Sequence, residues 1–239
     1  MKTKLLYLLV LLIFFSKANA ANEDFETDYT EKDEAADISA STGTITVTSA
    51  NSRGNYWAFY KDFGASYFGT SLHIQFVLNA TVMNNIGHAT AMVLSGPTLP
   101  TGTQEVYDLF GANDEFVKVY MYDASGTRTV RLLIVEDGSG TEDTSSTVSL
   151  STDYYCDYVR SGQTHTLTIR TGSHTGTVFD TLVATETSYT TSYRMCWGVT
   201  SWDTGSGSTV SYTVKDMDLA VASSSPIVPK IMQYYRRRH

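Results

Sequence analysis

Between residues 43 and 221 apolar side chains recur at every second position, the period of a strand with one buried face. Ile45 and Val47 alternate with Thr44, Thr46 and Thr48, and Trp57-Ala58-Phe59-Tyr60 forms a second strand closed by Asp62 to Gly64. Leu72, Ile74, Phe76 and Leu78 point one way, His73, Gln75 and Asn79 the other. Val117, Val119 and Met121 alternate with Lys118, Tyr120 and Tyr122. Asp123-Ala-Ser-Gly126 then turns the chain into Val130, Leu132 and Ile134, and Asp137-Gly138 ends that strand.

The second half continues in the same way. Tyr154 to Arg160, a Ser161-Gly162 turn and Thr164 to Arg170 read as a hairpin, and Ser173 to Gly176 feeds Val178 to Ala184. Arg194 to Thr200 leads to a Gly/Ser loop at 204–208. The last strand carries Val210, Tyr212 and Val214, then Met217, Leu219 and Val221, so its phase slips at Lys215-Asp216, as at a β-bulge. A helical period fits none of these segments for more than one turn. About twelve such strands predict an all-β, two-sheet antiparallel jelly-roll sandwich larger than an immunoglobulin unit.

The ends differ from the body. Lys2 and Lys4 precede an unbroken apolar run, Leu5 to Phe15, and Ala18-Asn19-Ala20 has the small-x-small form of a cleavage site. The run falls well short of the roughly 20 residues a spanning helix needs. Residues 1–20 therefore read as a secretory signal peptide, with the remainder secreted, periplasmic or extracellular and free of a later helical span. No Pro- or Gly-rich linker divides residues 21–222, which predicts one domain. Residues 223–239 are a Ser/Pro linker followed by a basic tail ending in Tyr234-Tyr235-Arg236-Arg237-Arg238-His239.

Charge narrows the partners. The chain carries −8, and losing residues 1–20 removes three lysines and no acid, giving −11. Nucleic acid and anionic membrane are thereby disfavoured. Cys156 and Cys196 both fall in predicted strands. An even count in an exported chain fits a bridge, worth roughly 4 kcal/mol in the chain-entropy model; two buried free thiols are the alternative.

The run Tyr60-Lys61-Asp62-Phe63-Gly64 followed by Tyr67-Phe68 resembles the concanavalin A-like lectin/glucanase sandwiches, including laminin-G-like domains. So do Leu72-His73-Ile74-Gln75-Phe76, the Tyr154-Tyr155 strand, Arg194 to Trp202 and the closing Thr213-Val214-Lys215-Asp216-Met217-Asp218-Leu219. The similarity runs over residues 23–222 and is nearest to secreted and phage-associated versions of the domain. It implies a jelly roll with one concave sheet, on which related proteins bind glycans and sometimes Ca2+.

Catalytic signatures are missing. Glucanases of this fold need Glu-x-Asp-x-Glu or a near variant, with carboxylates at alternate positions of one strand so that acid and nucleophile share a face. Glu105-Val-Tyr-Asp108 and Asp114-Glu115 have the wrong phase, and Asp216 with Asp218 stands beside the bulge. No Gly-x-Ser-x-Gly or His-Glu-x-x-His occurs, and the five histidines (73, 88, 165, 174 and 239) are scattered. For Ca2+, two oxygen-rich stretches have a suitable texture: Asp24 to Asp28, and the Gly-rich acidic loop expected at Glu136 to Asp143, with Asp137, Glu142 and Asp143 as ligands. Solvated acids are the competing reading.

Binding rests on aromatics, because sugar rings lie with their C–H faces on Tyr and Trp. Tyr120 and Tyr122 oppose the Val117/Val119/Met121 face and are expected to be exposed together. His73 and Gln75 form a polar pair on one strand face, Trp57 stands in a strand of ambiguous phase, and Trp202 precedes the Gly/Ser loop. The reading is a non-catalytic carbohydrate-binding, lectin-like domain for a glycan or cell-surface polysaccharide. An adhesive laminin-G-like module for a protein partner is the alternative, and a hydrolase or lyase with an atypical carboxylate site ranks third. Asn79-Ala80-Thr81 is a glycosylation sequon placed near a strand end.

Overall fold

The computed structural model describes residues 23–33, 37–50, 57–64, 67–96, 115–136, 138–187, 193, 195–200 and 209–219. The signal peptide, the C-terminal tail, Asp137 and Trp202 lie outside these residues. A single helical turn, α1 (Phe25–Asp28), precedes β1 (Thr30–Asp33), β2 (Ile38–Ser41), β3 (Thr44–Ala50), β4 (Trp57–Asp62), β5 (Ser71–Met83), β6 (His88–Ser95) and β7 (Phe116–Ala124). There follow β8 (Thr127–Glu136), β9 (Ser139–Thr147), β10 (Tyr154–Ser161), β11 (Thr164–Thr171), β12 (Thr177–Thr185), β13 (Met195–Thr200) and β14 (Val210–Asp218). The first sheet has the order β1-β4-β13-β6-β7-β8-β9, the second β12-β11-β10-β5-β14-β3-β2. Every pairing is antiparallel. None of the described helices is long and apolar enough to cross a membrane.

The core lies where the alternation puts it. From the second sheet come Ile74, Phe76 and Leu78 of β5 with Tyr158 of β10, and from the first come Val117, Val119 and Met121 of β7 with Leu132 of β8. Side chains of period two on a pleated strand reach one face only, so each sheet gives a single apolar layer to the space between them.

Three strands escape that period for physical reasons. All but the first position of β6 is buried, so its residues Ala89 to Ser95 show no polar face to alternate with. By contrast β9, Ser-Gly-Thr-Glu-Asp-Thr-Ser-Ser-Thr, is an exposed edge strand with one buried position. The acidic loop expected at Glu136–Asp143 is in fact the β8–β9 hairpin, in which Glu136 pairs with Ser139. β2 lies at the edge of the second sheet and buries only Ile38.

Turn chemistry holds the registers. Ser125 (φ 54°) and Gly126 (φ 97°) supply the two left-handed residues of a tight hairpin turn. Asp123 Oδ1 accepts the Gly126 N–H at 2.6 Å. At the slip read in the last strand, the β14–β5 register shifts between Lys215 and Asp218, and Asp216 takes φ 53°. The edge strands β9 and β12 cap one another: Asp143 Oδ2 accepts the Val183 N–H at 2.8 Å, and Asp180 Oδ2 accepts the Ser146 N–H at 2.7 Å. Edge amides satisfied in this way cannot recruit another strand.

A buried ionic network ties the second sheet to the chain after β12. Glu186 accepts from Arg160 Nη2 at 2.9 and 3.0 Å, from His165 Nε2 at 2.8 Å and from Tyr193 Oη at 2.9 Å. Burial opposes the charge on Glu186, but these donors outweigh it and hold its pKa below the usual value.

Of the two readings left open for the cysteines, Cys156 takes the second: it is a free, fully buried thiol on β10 of the second sheet, and the backbone of Cys196 lies in β13 of the first. One expectation changes here. The sequon asparagine stands in the body of β5, not near its end, and Asn79 Nδ2 is taken by Asp153 Oδ1 at 2.6 Å.

Candidate functional site

The expected site residues divide between opposite faces of the sandwich. Tyr120 and Tyr122 lie on the outer face of the first sheet, His73 and Gln75 on the outer face of the second, so they cannot form one site. The backbone of Trp57 lies in β4, opposite Asp33 of β1.

On the first sheet, register stacks side chains across β6, β7, β8 and β9. His88 is level with Tyr122, Thr90 with Tyr120, Tyr120 with Arg131, and Leu133 with Glu142. Direct antiparallel partners share a face, so His88, Thr90, Lys118, Tyr120, Tyr122, Arg131 and Glu142 all point away from the inter-sheet core. Here the outer face is also buried: Thr90, Lys118 and Tyr120 are 0%, 1% and 4% exposed. That overturns the expectation that Tyr120 and Tyr122 are exposed together, since Tyr122 alone reaches partial exposure. Alternation reveals which face a residue takes but not whether that face meets water.

Hydrogen bonds and ring contacts join the group. Tyr120 Oη donates to Glu142 Oε2 at 2.6 Å, and Arg131 Nη1 donates to Glu142 Oε1 at 2.8 Å. The His88 ring lies parallel to Tyr120 at 5.1 Å and edge-on to Tyr122 at 4.9 Å. Lys118 Nζ stands 4.4 Å from the Tyr120 ring centroid, and the Arg131 guanidinium 4.1 Å from that of Tyr122. With its ring already in contact with an imidazole and an ammonium, Tyr120 is unsuited to stack on a sugar. The Thr90 hydroxyl is buried with no hydrogen-bond partner among the described residues.

Burial sets the electrostatics. Desolvation pulls Lys118 down to about 7 against the attraction of Glu142. It pulls His88 down to about 2, helped by the charges of Lys118 and Arg131. Desolvation pushes the Tyr120 phenol up, and its hydrogen bond to Glu142 adds to this. The rim is open by contrast, with the side chains of Arg131 and Glu142 24% and 29% exposed.

The second sheet's outer face is organised around Asp157 of β10. Its carboxylate accepts from Gln75 Nε2, from His174 Nδ1 at 3.1 Å and from Arg170 Nε at 3.4 Å. Burial opposes ionisation of Asp157, but His174, His73 and Gln75 around the carboxylate prevail and lower its pKa, His73 Nε2 standing 3.8 Å away. Tyr155 meets His174 edge-on at 5.3 Å. Sequence reading found His73 and Gln75 but missed Asp157 and Arg170, whose alignment with them depends on the pairing of distant strands.

Of the calcium ligands named from sequence, Asp137 lies outside the described residues, and Glu142 and Asp143 point apart. Glu142 faces Arg131 and Tyr120, whereas its neighbour Asp143 turns the other way to the Val183 and Thr144 amides. The other oxygen-rich stretch is α1, where Asp24 caps Glu26 N–H and Asp28 pairs with Lys61. Among the described residues no three His, Cys, Asp or Glu are grouped to hold a metal ion. As placed, Glu142 and Asp143 therefore do not fit one shared Ca2+ site of the kind the resemblance implied.

No family model matches the chain, and no curated protein matches it in sequence. Solved structures do match. A functionally unknown protein from Saccharomyces cerevisiae matches with a TM-score of 0.53 and 9% identity, over 82% of this chain and 97% of that one. The exoplasmic/lumenal domain of VIP36, in its Ca2+/Man3GlcNAc-bound form, gives 0.52 and 9% identity over 79% and 83% of the two chains. A family 7 alginate lyase, A1-II′, bound to product gives 0.50 and 12% identity over 77% and 82%. At such identities the likeness concerns the fold alone. The chain is an all-β sandwich of antiparallel sheets with the concanavalin A-like lectin fold.

Proposed function

We propose that this protein binds a glycan, without cleaving it, on the outer face of its first sheet. The observation that carries the reading is the convergence of seven polar or aromatic side chains from four neighbouring strands, buried at Thr90, Lys118 and Tyr120 and open at Tyr122, Arg131 and Glu142. A guanidinium that donates and a carboxylate that accepts suit sugar hydroxyls, and a partly exposed tyrosine suits a ring face. The mannose-bound lectin domain among the fold relatives supports the same class of ligand.

A glycan array probed with the full chain tests this, beside Tyr122→Ala and Arg131→Ala. Binding that both substitutions weaken supports the reading, whereas a blank array from folded protein contradicts it. A second reading, glycan cleavage, has one feature in its favour: an amine near neutrality in Lys118, beside a phenol. Release of new reducing ends or of unsaturated sugar ends from array-positive polysaccharides would favour that reading.

A further inference from the structure

An aromatic surface beside the first helical turn lies apart from the face carrying Tyr122, Arg131 and Glu142. Tyr67 is 54% exposed, more than any other large apolar side chain among the described residues. Its ring leans on Phe63 at 4.7 Å and meets the buried Phe68 edge-on at 4.9 Å. Phe63 in turn lies 4.8 Å from the Lys61 ammonium, which Glu23 and Asp28 hold at 3.3 and 3.1 Å. The exposed ring is therefore propped on two others and continuous with α1.

The charge beside it is negative. Residues 23–28 contain Glu23, Asp24, Glu26 and Asp28 and no base, so Lys61 offsets only part of their charge. Glu26 is exposed, and the Asp28 side chain is 51% exposed. An open tyrosine face next to accessible carboxylates suits arginine, which stacks on the ring and pairs with the acid through one planar group.

The chain carries that chemistry at its own end. Residues 223–239 include Lys230 and Tyr234-Tyr235-Arg236-Arg237-Arg238 with no acid, a charge of +4. Residues 1–20 carry +3 and the whole chain −8, which leaves −15 on residues 21–222. The position of departure is also favourable. The described body ends at Leu219, and Met217 O accepts the Glu23 N–H at 2.9 Å, so the chain leaves within two residues of the acidic turn. Residues 220–235, which separate Leu219 from Arg236, reach up to about 55 Å when extended. That exceeds the path from Met217 through Glu23, Lys61 and Phe63 to Tyr67. Such a tether holds its end at an effective concentration on the order of millimolar, far above that of a second copy in dilute solution.

We infer that the surface formed by Tyr67, Phe63 and α1 is the docking site of the chain's own C-terminal segment, residues 234–238. An arginine stacks on the Tyr67 ring, and its neighbours face Glu26 and Asp28.

Trypsin cleavage after Lys230 of the full chain reads the docking, with a synthetic peptide of residues 223–239 as the free reference. The full chain is expected to be cut roughly tenfold or more slowly than the peptide. About 0.5 M salt should remove most of that difference, because the contacts are exposed and charged. Tyr67→Ala should restore the peptide's rate, and so should Glu26→Gln combined with Asp28→Asn. These substitutions change exposed side chains, and a melting curve close to wild type shows that the sandwich remains folded. Wild-type cleavage at the peptide's rate overturns the inference. Protection that survives both variants overturns it by placing the segment elsewhere, and protection lost on dilution overturns it by placing the segment on a second copy.

Discussion

Tyr120 and Glu142 are joined by a 2.6 Å hydrogen bond that reaches from β7 over β8 to β9. The intervening strand contributes Arg131 to the same carboxylate, so three strands meet at one acid. Tyr120→Phe keeps the ring between His88 and Lys118 and removes only the donor. A loss of about 1 kcal/mol is expected, lowering the melting temperature by about 2–4 °C for a domain of this size. An unchanged melting curve would mean that the bond contributes nothing in solution.

Tyr122 and Arg131 form the rim, where a ligand arrives first. Replacing either by Ala should cost about 1–2 kcal/mol of glycan affinity, roughly tenfold, while leaving urea stability close to wild type. Equal losses of affinity and stability would instead make these residues structural.

Lys118 and His88 give the fold a pH dependence of definite sign. Both have folded-state pKa values below their ordinary ones, at about 7 and about 2, mainly because burial disfavours the charged form. Wherever the unfolded chain binds more protons than the folded one, stability rises with pH. Stability should therefore increase from pH 7 towards 10.5 through Lys118 and fall from pH 6.5 towards 2 through His88. Denaturation midpoints measured across that range check both windows, and Lys118→Met should flatten the upper one.

Glu186 anchors the buried network with Arg160, His165 and Tyr193. Glu186→Gln leaves a guanidinium buried without its counter-charge and is expected to cost about 3–5 kcal/mol in urea unfolding. Asp28→Ala, which removes an exposed partner of Lys61, should cost less than about 1 kcal/mol. A similar loss from both would contradict the assignment of the network as a structural centre.

Cys156 is fully buried, and desolvation pushes its thiol pKa well above the ordinary value. A thiol reagent should therefore modify it only after unfolding. A non-reducing peptide map that links residues 156 and 196 would contradict the free thiol.

The strands whose apolar and polar or aromatic residues alternate were legible from sequence: β3, β5, β7, β8, β10, β11 and β14 each do so, and even the β14 bulge showed as a slip at Lys215-Asp216. β6 was not legible, because Ala89 to Leu94 include a single polar residue, Thr90, and so do not alternate, nor was β9, a polar edge with little to bury. The site was read in part. Tyr120 and Tyr122 were placed on the correct side of their strand, but the burial of that outer face depends on residues far away in sequence. Arg131 and Glu142 become partners only through the β8–β9 hairpin, and Asp157 joins Gln75 only through the pairing of β10 with β5. Pairing of that range leaves no local signature.

Hydrogen–deuterium exchange of the full chain, with and without a saturating array-positive oligosaccharide, locates the ligand most directly. Added protection is expected over Phe116–Ala124, Thr127–Glu136 and Ser139–Thr147, the strands that carry Tyr122, Arg131 and Glu142. Protection confined to other elements, with these three strands unchanged, would contradict glycan binding on the first sheet.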